Sequence, residues 1–181
     1  MLPSTPPIEL LSLTLGPAQT NCFVLGNTDT RQAVVIDPAW SGEIILREIR
    51  ARGWELTHML LTHAHFDHWG GAAALARATG APLALPRADE RLYRAKGGAA
   101  LFGVPMEAGP EPTLWLEPGS TLAVIGLTFE IIALPGHTRG HVGFYERARG
   151  WLFEGDVVFS GSIGRTDFPG SASETLHASI R

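Results

Sequence analysis

The sequence predicts an α+β fold in which two sheets pack face to face, with helices outside and strand ends gathered at one rim. Three observations carry this. Apolar runs of strand length alternate with helical patterns through the first half of the chain. The pattern beyond residue 112 is almost wholly β until a final helical stretch. A histidine-rich string ends one strand, and a lone His and a lone Asp end two later ones. The expectation for 181 residues is one domain over 1–181, a length that buries roughly two thirds of its unfolded surface.

Residues 8–15 (IELLSLTL) and 21–26 (NCFVLG) read as strands. Asn27-Thr28-Asp29 turns the chain into AVVIDP at 33–38, a short buried strand closed by proline. Ser41 stands where it can cap a helix over 43–52, with Ile44, Ile45 and Ile49 on its apolar stripe and Gly53 as a stop. Leu56 to Thr62 is a core strand that delivers the histidine string. An alanine-rich helix follows Gly70-Gly71 and stops at Gly80. Residues 82–85 read as a strand and 88–95 as a helix. Residues 97–112 hold four glycines and three prolines, so they form a long irregular connection, and such connections in compact domains are often functional. Strands follow at 113–116, 121–125, 127–134, 142–145 and 150–155, and SETLHASIR reads as a helix.

Composition narrows the partners. Eighteen acidic against fourteen basic side chains give a formal charge of −4, and Lys96 is the lone lysine. No nucleic-acid face or anionic-membrane patch is indicated. No apolar run approaches the ~20 residues of a membrane span. Cys22 is the single cysteine, which rules out an intrachain disulfide and reads as a small buried hydrophobe. The opening MLPSTPPIELL has no basic region and sets two prolines side by side, so it is not expected to be a secretion leader. The expected setting is soluble and cytoplasmic.

The string Thr62-His63-Ala64-His65-Phe66-Asp67-His68 carries the chemistry. It sets three imidazoles and a carboxylate within six consecutive positions, a donor set suited to Zn, Fe or Mn. His63 and His65 flank one residue and can point to the same side at a strand end. Asp67 and His68 are neighbours whose side chains diverge, so one can serve a different centre from the other. That spacing suits two metals, which in hydrolytic pairs sit about 3.5–4 Å apart. His137 in Pro135-Gly136-His137-Thr138 and Asp156 after Gly155 both follow strands and can meet the first string at the rim.

THAHFDH, PGHTRGH and GDVVFSGSIGRTDFPG resemble the successive motifs of the metallo-β-lactamase superfamily, and the last is similar to its small glyoxalase II-like (hydroxyacylglutathione hydrolase-like) branch. The resemblance implies an αββα four-layer sandwich with a zinc pair in the cleft between the sheets. It implies that His63, His65 and His137 hold the first ion, that Asp67 and His68 hold the second, and that Asp156 bridges them. It implies a hydrolase that cleaves a thioester such as S-lactoylglutathione, with Asp67 and a metal-bound water in the catalytic role. The family supplies a further histidine from a later PGHG-like loop, which this chain does not contain up to Arg181. The expectation is therefore either a shortened product or fragment that lacks the last strand and helix, or an under-liganded second zinc site. An open sheet edge would then leave room for a homodimer.

Other residues carry lesser expectations. Asp37 either bonds a ligand histidine or shapes a turn. His141 bonds loop backbone or orients a ligand. Arg165 and Asp167 pair with each other or reach substrate. His58 is structural, and Trp69 walls the cleft. Two rival readings stand beside the hydrolase. One is a mononuclear non-haem iron dioxygenase acting on persulfides, with His63, His137 and Asp156 on Fe. The other is a catalytically impaired, shortened form that only binds metal.

Overall fold

The computed structural model describes residues 6–181. The first five residues of the stretch read as leaderless lie outside the described part. Strands β1 (Ile8–Leu15), β2 (Thr20–Asn27) and β3 (Gln32–Ile36) form an antiparallel meander. Helix α1 (Gly42–Ala51) leads to β4 (Glu55–Leu60), α2 (Ala72–Thr79) to β5 (Leu83–Pro86), and α3 (Glu90–Arg94) with flanking 3₁₀ turns to β6 (Pro112–Leu116). From β3 to β6 the pairing is parallel, as helical crossovers require. These six strands make one sheet in sequence order. β6 closes this sheet rather than opening the β-rich half in which its sequence places it.

The second sheet has the order β10-β9-β8-β7, built from β7 (Thr121–Val124), β8 (Leu127–Ala133), β9 (Val142–Glu146) and β10 (Trp151–Phe153). A two-stranded hairpin, β11 (Val158–Phe159) and β12 (Ser162–Ile163), and helix α4 (Ser173–Ile180) follow. The strands' period of two explains the layers. Ala33, Val35 and Met59 face α1 and α2, where Ile45, Ile49 and Leu75 are buried. Their sequence neighbours Val34, Ile36 and Leu60 face the other way and pack on Phe129, Ile131 and Phe144 of the second sheet. On β8 the intervening Ile132 points outward and meets Leu176 of α4. The order is thus helix, sheet, sheet, helix: the four-layer sandwich.

Several local expectations need correction. Ser41 precedes α1, but its backbone is left-handed (φ 28°) and its side chain makes no capping bond. Its carbonyl alone accepts from Ile44. The stretch after Ala95 is not wholly irregular, since a kinked 3₁₀ segment runs over Lys96–Phe102. Cys22 is fully buried, and burial pushes its thiol well above the ordinary range. Among the described residues no helix is long and apolar enough to cross a membrane.

Candidate metal centre

Four strand ends meet at one rim. β3 delivers Asp37, β4 delivers the 61–68 loop, β8 delivers the turn with His137, and β10 delivers Asp156. Two groups of donors converge there: His63, His65 and His137, and His63, His68 and Asp156, with the potential ligand atoms of each group within 4.8 Å of one another.

Hydrogen bonds fix which nitrogen each ring offers. The Thr62 hydroxyl donates to Asp37 Oδ2 at 2.7 Å, so His63 Nδ1, 3.1 Å away, must donate to that hydroxyl. His63 Nε2 then carries the lone pair, and it is buried with no partner. His68 Nδ1 faces Asp37 Oδ2 at 3.0 Å, and its Nε2 is likewise buried without a hydrogen-bond partner. His137 Nδ1 donates to the Arg165 carbonyl at 2.8 Å, which turns Nε2 inward to lie 2.8 Å from His65 Nδ1. Asp156 reaches both groups: Oδ1 is 3.2 Å from His68 Nε2, and Oδ2 is 3.4 Å from His137 Nε2. Asp67 Oδ2 is 3.5 Å from His68 Nε2 and accepts from the Thr20 hydroxyl at 2.8 Å. The buried, unpartnered Nε2 of His63 belongs to both groups, and a divalent ion fits that imidazole-and-carboxylate donor set.

Electrostatics separates the two groups. Burial, reinforced by the neighbouring imidazoles, pushes His63 well below its ordinary value and His65 down to about 3. Burial opposes the charge on His68 as well, but the Asp37 and Asp156 carboxylates outweigh it and hold this ring well above the usual range. Burial likewise works against the Asp156 carboxylate, yet His68 and His137 keep it well below the carboxylate range.

The lesser expectations resolve as follows. Asp37 bonds the histidine His68, and its carboxylate also accepts from the Thr62 amide (2.8 Å), 25 positions away, rather than shaping a turn. His141 bonds the Glu154 carbonyl at 2.8 Å and stacks on His63 with ring centroids 4.5 Å apart. Arg165 and Asp167 pair with each other at 2.7 Å on the surface, while the Arg165 carbonyl orients His137. Trp69 does not wall the cleft: it is 1% exposed, packs on Tyr93, and donates to the Ala64 carbonyl. His58 stands outside both groups. His177 on α4 bonds the carbonyl of Ser173, one turn back. Gly155 (φ 58°) is required before Asp156, because a Cβ there would lie 2.3 Å from Thr62 Oγ1.

Sequence reasoning missed Asp89. Its buried carboxylate accepts from the Ala64 amide (3.1 Å), the Thr138 hydroxyl (2.7 Å) and the Gly140 amide (2.8 Å). It thereby ties the His63–His68 loop to the His137 turn. An aspartate before Glu-Arg-Leu reads as an ordinary helix start, so nothing in the sequence marks this role.

The family model of the metallo-beta-lactamase superfamily matches residues 15–181. A hydroxyacylglutathione hydrolase of Haemophilus influenzae, GloC, is 38% identical over 177 residues, covering 96% of this chain and 82% of the relative. A hydroxyacylglutathione hydrolase of Pseudomonas entomophila is 34% identical over 86% of this chain, which spans 54% of that longer relative. The crystal structure of the BLEG-1 B3 metallo-beta-lactamase superposes with a TM-score of 0.86 at 33% identity, over 95% of this chain and 83% of that one. A structure of TTHA1623 in a di-iron-bound form gives 0.84 at 37% identity, over 94% and 83%.

Proposed function

Because the chain belongs to the metallo-beta-lactamase superfamily, we propose that it is a metal-dependent hydrolase of the glyoxalase II kind, cleaving small acyl-thioesters such as S-lactoylglutathione at a two-zinc centre. His63, His65 and His137 would hold one ion, Asp67 and His68 would hold the other, and Asp156 would serve both. The observation that carries this reading is Asp156, which turns one oxygen toward each group, 3.2 Å from His68 and 3.4 Å from His137.

A divalent pair bound there polarises a carbonyl and lowers the pKa of water toward about 7. The chain's own residues do the rest. Asp37 and Thr62 hold His68 and His63 in fixed tautomers, so the ligand set is prearranged. His141, stacked behind His63 and fully buried, excludes water from that side. Asp67, facing the cavity, orients the attacking water and takes its proton. Water adds to the acyl carbon as its proton passes to Asp67, the C–S bond breaks, the thiolate leaves and takes up that proton, and the new carboxylic acid loses its own proton to solvent. A thiolate leaves without a strong proton donor because thiols ionise near ~8.5, whereas an amine would need one. This favours a thioester over an amide.

The paired groups also weigh against a single-iron dioxygenase on His63, His137 and Asp156. That arrangement leaves His68, whose Nε2 lies 3.2 Å from Asp156 Oδ1, outside the ligand set. The di-iron form of a relative makes iron the alternative occupant. Elemental analysis of the purified chain beside a thioester assay tests the proposal. Two zincs with S-lactoylglutathione cleavage support it, while one iron with sulfite formed from a persulfide overturns it.

A further inference from the structure

We propose that the cavity on the His65–His137 side of the centre is an apolar substrate subsite, which takes an alkyl or aryl part of the thioester. The turn carrying Leu101 and Phe102 sets how much apolar bulk is favoured. This rests on the thioesterase reading above. The cavity is about 400 Å³ and opens directly on His65, His137 and Asp156. Its other walls are Phe66, Leu92, Leu101, Phe102 and Phe168.

An aromatic ladder makes this wall continuous with the donors. The Phe168 ring lies 5.0 Å from the His65 ring and 5.7 Å from Phe102, and Phe102 lies 5.5 Å from Phe66. Leu101 and Phe102 are 66% and 49% exposed, so a ligand that covers them gains burial they lack in the free protein. The turn is fixed relative to the donors. Gly97 (φ 61°) backs so closely on the 61–68 loop that a Cβ there would lie 2.3 Å from the Phe66 amide nitrogen. Arg165 brings no free charge to this wall, since its guanidinium pairs with Asp167 at 2.7 Å and lies 4.2 Å over Phe168. The cavity on the other side of the centre, about 410 Å³, shares Asp67 and Asp156 with this one and adds the carboxylates of Asp37 and Glu154. An uncharged, apolar group is therefore the occupant that the His65–His137 side fits.

The test uses the zinc-loaded chain and two substrate series. One lengthens the acyl group on glutathione from lactoyl to hexanoyl and phenylacetyl. The other holds the acyl group and varies the thiol from glutathione to alkyl and aryl thiols. Calorimetric binding of non-cleavable S-alkyl thioethers gives a readout free of turnover. We expect kcat/KM and thioether affinity to rise roughly two- to fourfold per added methylene, and the series that shows the rise identifies which half of the substrate enters. Phe102→Ala and Leu101→Ala flatten it, while Leu10→Ala, on the far-off first strand, keeps it. A flat response in the unmodified chain, or a rise that survives both substitutions together, overturns the subsite. Thioesters cleaved without any rise would sink the subsite alone. Thioethers bound with a Phe102-dependent rise, but no thioester cleaved, would sink the hydrolase reading alone.

Discussion

The two donor groups share His63 but are held by different physics. In the group with His65 and His137, burial suppresses the proton affinity of His63 and His65. The group with His68 and Asp156 mixes an imidazole of raised proton affinity with a carboxylate still in contact with solvent, its side chain 27% exposed, and Asp67, outside the group, lies 3.5 Å from that imidazole. The first is an imidazole-only group in which the buried Nε2 of His63 has no partner and the 2.8 Å contact between His65 Nδ1 and His137 Nε2 is the internal one. The second can satisfy itself in part by its own ion pairs, and among the described residues it offers a single imidazole beyond the shared His63. The first group should therefore bind metal more tightly than the second.

The largest effect should come from the shared residue. His63→Ala is expected to lower thioesterase activity by more than about a hundredfold, beyond the loss of an outer partner, and to remove tight metal binding. His58→Ala, half-buried and outside both groups, should keep most of both. Equal losses in the two variants would break the assignment. Asp37→Ala sharpens the comparison, because it frees His68 directly and is expected to weaken the second equivalent about 10- to 100-fold, read by chelator competition.

Asp89 is the counterpart on the first group. Asp89→Ala leaves three buried donors without an acceptor, at about 1–3 kcal/mol each. It should lower the melting temperature and weaken the first equivalent more than the second. The reverse order of loss would contradict its bracing role.

Acid gives a graded test on the metal-free chain. His65 and His141 both have folded values lowered to about 3 from 6.5. A lowered folded value means that the unfolded chain takes up protons first, so their contribution is intact above about pH 6.5 and falls as pH drops toward 3. The loss between pH 7 and 5 is on the order of 2 kcal/mol for each, visible as a falling denaturation midpoint. A midpoint that rises over that range would contradict the burial argument. The smallest effect is expected from Asp167→Asn, whose pairing with Arg165 lies on the surface. It should leave the melting temperature and metal content unchanged.

Much of this was legible in the sequence, for identifiable reasons. The continuous apolar run at 33–36 marks a strand buried on both faces, and the two faces proved to be two separate cores. The string at 62–68 concentrates donors so densely that its chemistry is visible without coordinates. What stayed hidden depends on long-range contact. Asp89 acts across 25 and 49 positions on Ala64 and Thr138, and no local pattern encodes that. Trp69 follows His68 directly, yet the 3₁₀ turn at Phe66–His68 sends its ring into the core instead of the cleft. Ser41 has the right identity for a cap but the wrong backbone, because the turn through Trp40 and Ser41 has positive φ at both residues (29° and 28°). The short β11–β12 hairpin carries no alternation long enough to read.

The most direct test of the paired centre is zinc titration of the metal-free chain against a chromophoric chelator, with His68→Ala alongside. The account predicts two equivalents in the unmodified chain, one tighter than the other, and one tight equivalent remaining in His68→Ala. A single equivalent in the unmodified chain, or loss of the tight equivalent on removing His68, would contradict it.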